Sequence, residues 1–344
     1  MKYRLLGRTG LKVSELCLGT MTFGENFFNI AVVDQPSANR MVARALEAGI
    51  NFFDTADVYS FGGSEEVLGA ALKECANDRH NVIVATKVRS AMSEGAMTGT
   101  ADVNNLGLSR HHILSSVEAS LRRLGTDYID LYQVHGWDLV TPMEETLSAL
   151  DQLVRQGKVR YLGCSNWSAR HLMKALCLCR ASGWAGFVSL QAYYSLVGRD
   201  LEDELLPLCR EEGLGVLPWS PLSGGFLSGK YRRDDPNPQG ARRNAFDFPP
   251  IDGARGFDAV DALADIAKAK GASVAQVALA WVLAQPGITS IIIGANKMEQ
   301  LEDNLKAADL RLTAGEVDRL SQKTAPVPRY PQWMIERQNQ DRQA

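Results

Sequence analysis

The sequence predicts an α/β fold, a (β/α)8 or TIM barrel, and three observations carry that prediction. Eight short runs of apolar and β-branched residues recur along the 344-residue chain, and each is followed by a segment of helical periodicity. Near-continuous apolar strands alternating with amphipathic helices make a parallel sheet covered by helices, because a strand buried on both faces has no polar side to show. No linker interrupts the repeats, and no G-x-G-x-x-G follows the first strand. A closed barrel is therefore favoured over a doubly wound open sheet.

Taken in order, residues 3–6, a Gly-containing turn at 7–10 and residues 11–13 read as a β-hairpin, placed over the barrel floor. Barrel strands are expected at 16–18, 50–53, 82–85, 129–134, 159–163, 187–191, 215–218 and 290–293. Helical spacing marks 38–48, 64–76, 109–124, 143–156, 169–181, 202–211, 260–270, 273–283 and 298–305. Residues 1–344 are expected to form one domain, with 1–14 as the hairpin and 321–344 as a tail bordering the substrate pocket. Segments 88–108, 223–257 and the tail exceed what a barrel needs. The first two leave the carboxyl ends of strands, where such barrels place their active sites, so they are candidate pocket walls.

Composition narrows the function classes. The chain is 45% hydrophobic and 22% charged with a formal net charge of −3, which gives no basic footprint for nucleic acid. Six cysteines form no C-x-x-C pair, so neither a structural zinc nor a dithiol redox site is expected. The N-terminus lacks the apolar run of a signal peptide, and the longest apolar stretch, residues 274–284, is too short to span a bilayer. The expectation is a reduced, cytoplasmic enzyme with no metal, no membrane and no nucleic-acid partner; oligomeric state leaves no mark in the sequence.

The strand ends carry the chemistry. The second strand ends in Asp54-Thr55-Ala56-Asp57-Val58-Tyr59, the third in Thr86-Lys87 and the fourth in Val134-His135. A closed barrel brings these ends to one mouth. A phenol with an ordinary pKa of ~10 is a reluctant acid at neutral pH. An adjacent ammonium lowers that pKa, and a carboxylate can hold the ammonium in place. A histidine can orient a substrate carbonyl. These residues therefore suit carbonyl reduction, with Tyr59 as acid, Lys87 as its tuner, Asp54 as the partner of Lys87 and His135 as orienting donor. Taken alone, Lys87 also admits a Schiff-base role, and Asp54, Tyr59 and His135 admit structural ones.

Longer motifs then become visible. Leu6-Gly7-Arg8-Thr9-Gly10-Leu11-Lys12-Val13-Ser14 with Leu18-Gly19-Thr20-Met21-Thr22-Phe23-Gly24, and Phe53-Asp54-Thr55-Ala56-Asp57-Val58-Tyr59 with Gly63-Ser64-Glu65-Glu66-Val67-Leu68-Gly69, resemble segments of the aldo-keto reductase superfamily. The resemblance covers nearly the whole chain. It implies a catalytic tetrad of Asp54, Tyr59, Lys87 and His135, and reversible hydride transfer between a nicotinamide and an aldehyde, ketone or secondary alcohol. It also admits another reading, a slow-turnover regulatory subunit like the potassium-channel β-subunits that resemble this family.

A second site is legible at the eighth strand. Gly294-Ala295-Asn296-Lys297 precedes a helix starting near Met298, and a helix N-terminus beside a lysine suits a phosphate. The resemblance implies an adenosine-phosphate site there, with Gly294, Lys297, Gln300, Asp303 and Asn304. Lys297 would face a 2′-phosphate, which favours NADPH over NADH. The resemblance further implies that Ser165, Asn166 and Gln191 hold the nicotinamide carboxamide and that Trp219 stacks on its ring. Ser220, Pro221, Leu222, Gly224 and Lys230 would close over the pyrophosphate, and Gly19, Thr20, Met21 and Asp54 would border the ribose and nicotinamide. Phe23, Asn26, Phe27, Trp137 and Trp333, with Tyr59 and His135, are candidate walls for a small-molecule carbonyl substrate.

Overall fold

The computed structural model describes residues 1–25, 27, 30, 32–76 and 78–342. Strands β1 (Tyr3–Leu5) and β2 (Lys12–Ser14) pair antiparallel. Eight parallel strands follow: β3 (Leu16–Gly19), β4 (Phe52–Asp54), β5 (Ile83–Val88), β6 (Ile129–Val134), β7 (Val159–Ser165), β8 (Phe187–Tyr193), β9 (Gly215–Trp219) and β10 (Ile291–Ile293). They lie side by side in chain order, with β10 returning to pair with β3. Closure comes just before β10, where Thr289 N donates to Val216 O of β9 at 2.9 Å. The predicted (β/α)8 barrel is the observed fold.

Helices alternate with the strands as the periodicity requires. In chain order they are α1 (Gln35–Glu47), α2 (Gly63–Cys75), α3 (Glu94–Thr98), α4 (Arg110–Leu124), α5 (Met143–Arg155), α6 (Ala169–Ser182) and α7 (Leu205–Glu212). Then come α8 (Arg242–Ala245), α9 (Gly253–Lys270), α10 (Val274–Ala284), α11 (Met298–Leu305), α12 (Ala314–Lys323) and α13 (Gln332–Gln338). Side-chain caps set several starts: Ser109 accepts from His112 N, Ser168 from His171 N and Ser273 from Gln276 N.

Caps also explain where helices begin earlier than the apolar spacing indicates. Asp34 caps α1, which starts at Gln35, three residues before the first expected helical residue, and Pro36 suits its first turn. Asp252 accepts from Ala254 N and Arg255 N, so α9 takes over the end of a segment expected to be loop. The other two surplus segments are not bare loops either, since α3 lies within residues 88–108 and α12 and α13 lie toward the chain's end.

The hairpin fills the barrel floor. Leu6 and Val13 join Cys17, Phe52, Ile83, Ala85, Leu131, Leu217 and Ile292 in one buried apolar cluster. Gly7 makes this seating possible: its φ is +58°, and a Cβ there would lie 2.4 Å from Val188 O. The two-residue alternation of strands places the next inward side chains one layer higher. Above Phe52, Ala85, Leu131 and Leu217 stand Asp54, Lys87, Gln133 and Trp219. An apolar plug thus lies under a polar layer at the carboxyl ends of the strands. Among the described residues, no single helix is long and apolar enough to cross a membrane.

Candidate active site

Lys87 organises the polar layer. Its ammonium donates to Asp54 Oδ1 at 2.5 Å, to Thr55 O at 2.8 Å and to the Tyr59 hydroxyl at 3.4 Å. Asp54 Oδ2 accepts from Gln133 Nε2 at 3.0 Å and Gln191 Nε2 at 2.9 Å, so both carboxylate oxygens are satisfied. Burial works against the Lys87 charge, but Asp54 and Tyr59 outweigh it and the lysine pKa is raised. The raised pKa favours the ammonium form of Lys87 facing the phenol.

Burial pushes the Tyr59 pKa up, while the Lys87 charge pulls it back. Without that cation the phenol would be a still weaker acid. The Tyr59 ring meets His135 edge-on, with centroids 5.7 Å apart, and Phe27 lies 5.6 Å away on another side. His135 is held well below its ordinary pKa, first by burial and then by the Lys87 and Arg89 charges. Its imidazole is neutral at pH 7, with a buried Nδ1 that has no partner among the described residues. The structure thus brings Asp54, Tyr59, Lys87 and His135 together at one mouth.

The turn after Tyr59 is strained. Ser60 and Phe61 both sit in the left-handed region, at φ 50° and 49°, followed by Gly62 at 98°. Each left-handed residue with a Cβ costs on the order of 1–3 kcal/mol.

A buried acid, a cation and a neutral imidazole at a barrel mouth are chemistry that comparison with known proteins can place. Residues 15–325 match the model of the Aldo/keto reductase family. The chain belongs to that family. It is 40% identical over 332 residues to "Uncharacterized oxidoreductase YrpG" of Bacillus subtilis (strain 168), covering 95% of this chain and 97% of the relative. It is 34% identical to "Versiconal hemiacetal acetate reductase" of Aspergillus parasiticus, covering 96% of this chain and 99% of that one. A protein of Oryza sativa subsp. japonica named "Probable voltage-gated potassium channel subunit beta" is 35% identical, over 96% of this chain and 98% of its own length.

Beside the tetrad, this aldo/keto reductase carries a ring of partly engaged polar groups. Asn166, left-handed at φ 57°, donates to His135 O at 3.1 Å and accepts from Trp219 Nε1 at 3.1 Å. Trp219 is flanked by Tyr193 at 5.1 Å and by Phe248, stacked within 9° of parallel at 5.6 Å. Ser165 Oγ is buried without a partner among the described residues, and Gln191 has its amide nitrogen committed to Asp54 and Gln133. Gly19 and Thr20 are buried and Met21 is partly exposed; Thr20 N donates to Asp54 O at 2.9 Å, joining the ends of β3 and β4.

Farther out, Ser220 (φ 50°), buried Pro221 and partly exposed Leu222 lead into a glycine turn in which Gly224 N donates to Ser220 Oγ at 2.9 Å. Lys230 and Lys297 are exposed, and neither forms an ion pair among the described residues. Gly294 faces open space, since a Cβ there would meet nothing within 4 Å. Gln300 Oε1 accepts from Asn296 N at 2.8 Å, and Asn304 donates to Gly294 O at 3.3 Å. Asp303 is held by Ser273 Oγ and Gln276 Nε2, both at 2.7 Å, so it ties α11 to the start of α10.

The candidate substrate walls separate. Phe23 is fully buried in the core, and Phe27 is the residue of that segment beside Tyr59. Trp137 stacks on His171 of α6 at 3.9 Å and meets Trp167 edge-on. Trp333 is 42% exposed with Tyr330 as its ring partner. Asn26 lies outside the described residues.

Two groups were missed from sequence. Gln133 was legible in principle, because it lies two residues before His135 on the inward face of β6. Arg242 was not, because an Ala-Arg-Arg-Asn stretch in a long loop resembles solvated surface. Its Nε is buried without a partner among the described residues, and burial together with Arg243 holds its pKa below the usual guanidinium value. An anion would satisfy both features.

Proposed function

We propose that this aldo/keto reductase is an NADPH-dependent carbonyl reductase that reversibly converts aldehydes or ketones to alcohols, with Tyr59 as proton donor. The observation carrying this reading is the Lys87 ammonium, sealed from solvent against Asp54 and 3.4 Å from the Tyr59 hydroxyl.

The residues present fit a nicotinamide dinucleotide. Among the described residues, Ser165 Oγ, Ser228 Oγ and Arg242 Nε are buried polar atoms without partners, and Gly294 faces open space, features that a polar ligand would satisfy. Ser165, Asn166 and the Gln191 carbonyl would hold the carboxamide, beside Trp219. Residues 220–224, Lys230 and Arg242 would hold the pyrophosphate. Lys297 would face the 2′-phosphate, with Gln300, Asp303 and Asn304 near the adenosine. The bound nicotinamide supplies the hydride.

The protein's own part is proton handling and orientation. Neutral His135 donates a hydrogen bond that orients the substrate carbonyl. As negative charge develops on the carbonyl oxygen, Tyr59 releases its proton there, and Lys87 stabilises the phenolate left behind. Asp54, itself held by Gln133 and Gln191, keeps Lys87 in position. Six free cysteines accord with a reducing, cytoplasmic setting.

The test is steady-state NADPH oxidation with a panel of aldehydes, ketones and quinones, in the parent and in Tyr59→Phe. The variant should bind NADPH normally and lose ~10²–10⁴-fold in reduction, the range for general acid catalysis. Full activity in the variant would falsify the assignment. A second reading, a regulatory subunit on the same scaffold, is favoured by the relative named as a potassium-channel β-subunit. It demands very slow turnover across the same panel.

A further inference from the structure

The backbone directly after Tyr59 is left-handed at three successive residues: Ser60, Phe61 and Gly62. Only Gly62 adopts this conformation freely, because a Cβ crowds the following carbonyl. Two such residues in a row persist only where their surroundings over-determine them.

The surroundings do so from two sides. On one side Ser60 Oγ donates to Phe23 O at 3.1 Å. Gly24, at φ 91°, packs so closely that a Cβ there would lie 2.9 Å from Ser60 Oγ. On the other side Arg123 of α4 runs against Gly62, where a Cβ would meet its Cδ at 2.6 Å. Arg123 is itself fastened to buried Glu65 at 2.6 Å. Glu65 also accepts from Thr86 Oγ1 at 2.5 Å, and Thr86 immediately precedes Lys87. The turn that carries the phenol is thus tied to the strand that carries the ammonium.

That matters because the hydrogen bond between the phenol's hydroxyl and Lys87 is a long one. The Lys87–Tyr59 distance of 3.4 Å is at the long limit of a hydrogen bond, so a small displacement of the turn would break it.

We propose that Ser60 is a positioning residue for the reaction: its left-handed backbone and its bond to Phe23 hold the turn that delivers the Tyr59 hydroxyl to Lys87. Ser60 acts through the turn and does not touch the phenol. The proposal rests on the reading of Tyr59 as proton donor.

The test compares Ser60→Gly, Ser60→Ala and Ser60→Asn with Tyr59→Phe. In Ser60→Gly the lost hydrogen bond and the relieved backbone oppose each other, so the thermal midpoint stays within about 3 °C of the parent. The kcat for carbonyl reduction falls tenfold or more, with KM and NADPH affinity nearly unchanged, as for a misplaced catalytic group. Ser60→Ala, which loses only the bond, shows the same kcat-specific loss. Asn tolerates the left-handed region and carries a donor, so Ser60→Asn recovers at least half of the parental kcat. Parental kcat in Ser60→Gly overturns the proposal, and so does a kcat loss matched by an equal loss of NADPH affinity. An inactive Tyr59→Phe beside a fully active Ser60→Gly sinks this proposal alone, whereas a fully active Tyr59→Phe sinks the donor reading beneath it.

Discussion

The Lys87 ammonium lies 2.5 Å from Asp54 Oδ1, and neither side chain is more than 3% exposed. A buried pair of this kind adds little stability over a well-packed apolar pair, but removing one partner strands the other charge. Breaking such pairs typically costs ~3–5 kcal/mol. Asp54→Asn should therefore lose roughly that much stability in denaturant unfolding. It should also reduce carbonyl reduction, because the largest influence opposing burial at Lys87 is then gone and its pKa falls. Parental stability with parental activity would mean that the pair serves neither purpose.

Lys87→Met separates tuning from structure. The Lys87 charge pulls the Tyr59 pKa down against burial, so its loss lets that pKa rise. Alcohol oxidation needs the phenolate as base, so its pH–rate profile should move to higher pH in the variant. Reduction at pH 7 should fall ~10²-fold or more. A pH–rate profile for oxidation that keeps its parental position would show that the Tyr59 pKa is not set by Lys87.

The reach of the sequence is instructive at particular residues. Asp54 and Lys87 were legible because strand alternation is strict: once Phe52 and Ala85 belong to the apolar floor, the residues two along must enter the mouth. The hairpin was legible from its glycine turn, and Gly7 shows why the turn cannot tolerate a side chain. Helix starts were less so, since Asp34 and Asp252 begin α1 and α9 before any apolar spacing is established. Side-chain direction past a strand end was not legible at all. Trp137 follows His135 by two residues, yet its ring turns to His171 on α6, because nothing fixes alternation once β6 has ended at Val134. Contacts made by long loops, such as Phe248 on Trp219, depend on how segments distant in sequence fold back.

Asp57 gives a prediction in stability alone. It is fully buried, and neither carboxyl oxygen finds a partner of good hydrogen-bond geometry among the described residues. Burial, then the Glu65 carboxylate, raise its pKa well above the ordinary carboxylate value. In that case the folded state holds a proton that the unfolded state releases. Stability from this group is complete below the unfolded pKa of ~3.9 and is lost as pH rises toward the folded pKa, by at most ~1.4 kcal/mol per pH unit. Asp57→Asn removes the titration, so its stability relative to the parent should improve as pH rises from about 4 toward the folded pKa. Unfolding curves whose difference does not change with pH would show Asp57 ionised in the fold.

Lys297 and Arg242 make opposite demands on the same experiment. Lys297 is exposed at the start of α11, so any attraction to a 2′-phosphate is screened by salt. Lys297→Met should weaken NADPH about tenfold or more at low ionic strength, leave NADH nearly unchanged, and lose that discrimination as salt rises. The Arg242 Nε is buried without a partner among the described residues, so a phosphate bound there is poorly screened. Arg242→Met should weaken NADPH and NADH by similar factors of roughly tenfold or more, consistent with ~1.5–3 kcal/mol for a charged hydrogen bond, with little dependence on salt. Fluorescence titration of both dinucleotides at low and physiological ionic strength reads both outcomes. Equal effects of Lys297→Met on NADPH and NADH would remove Lys297 from the 2′-phosphate, and a salt-sensitive Arg242→Met would place Arg242 outside the buried part of the cofactor path.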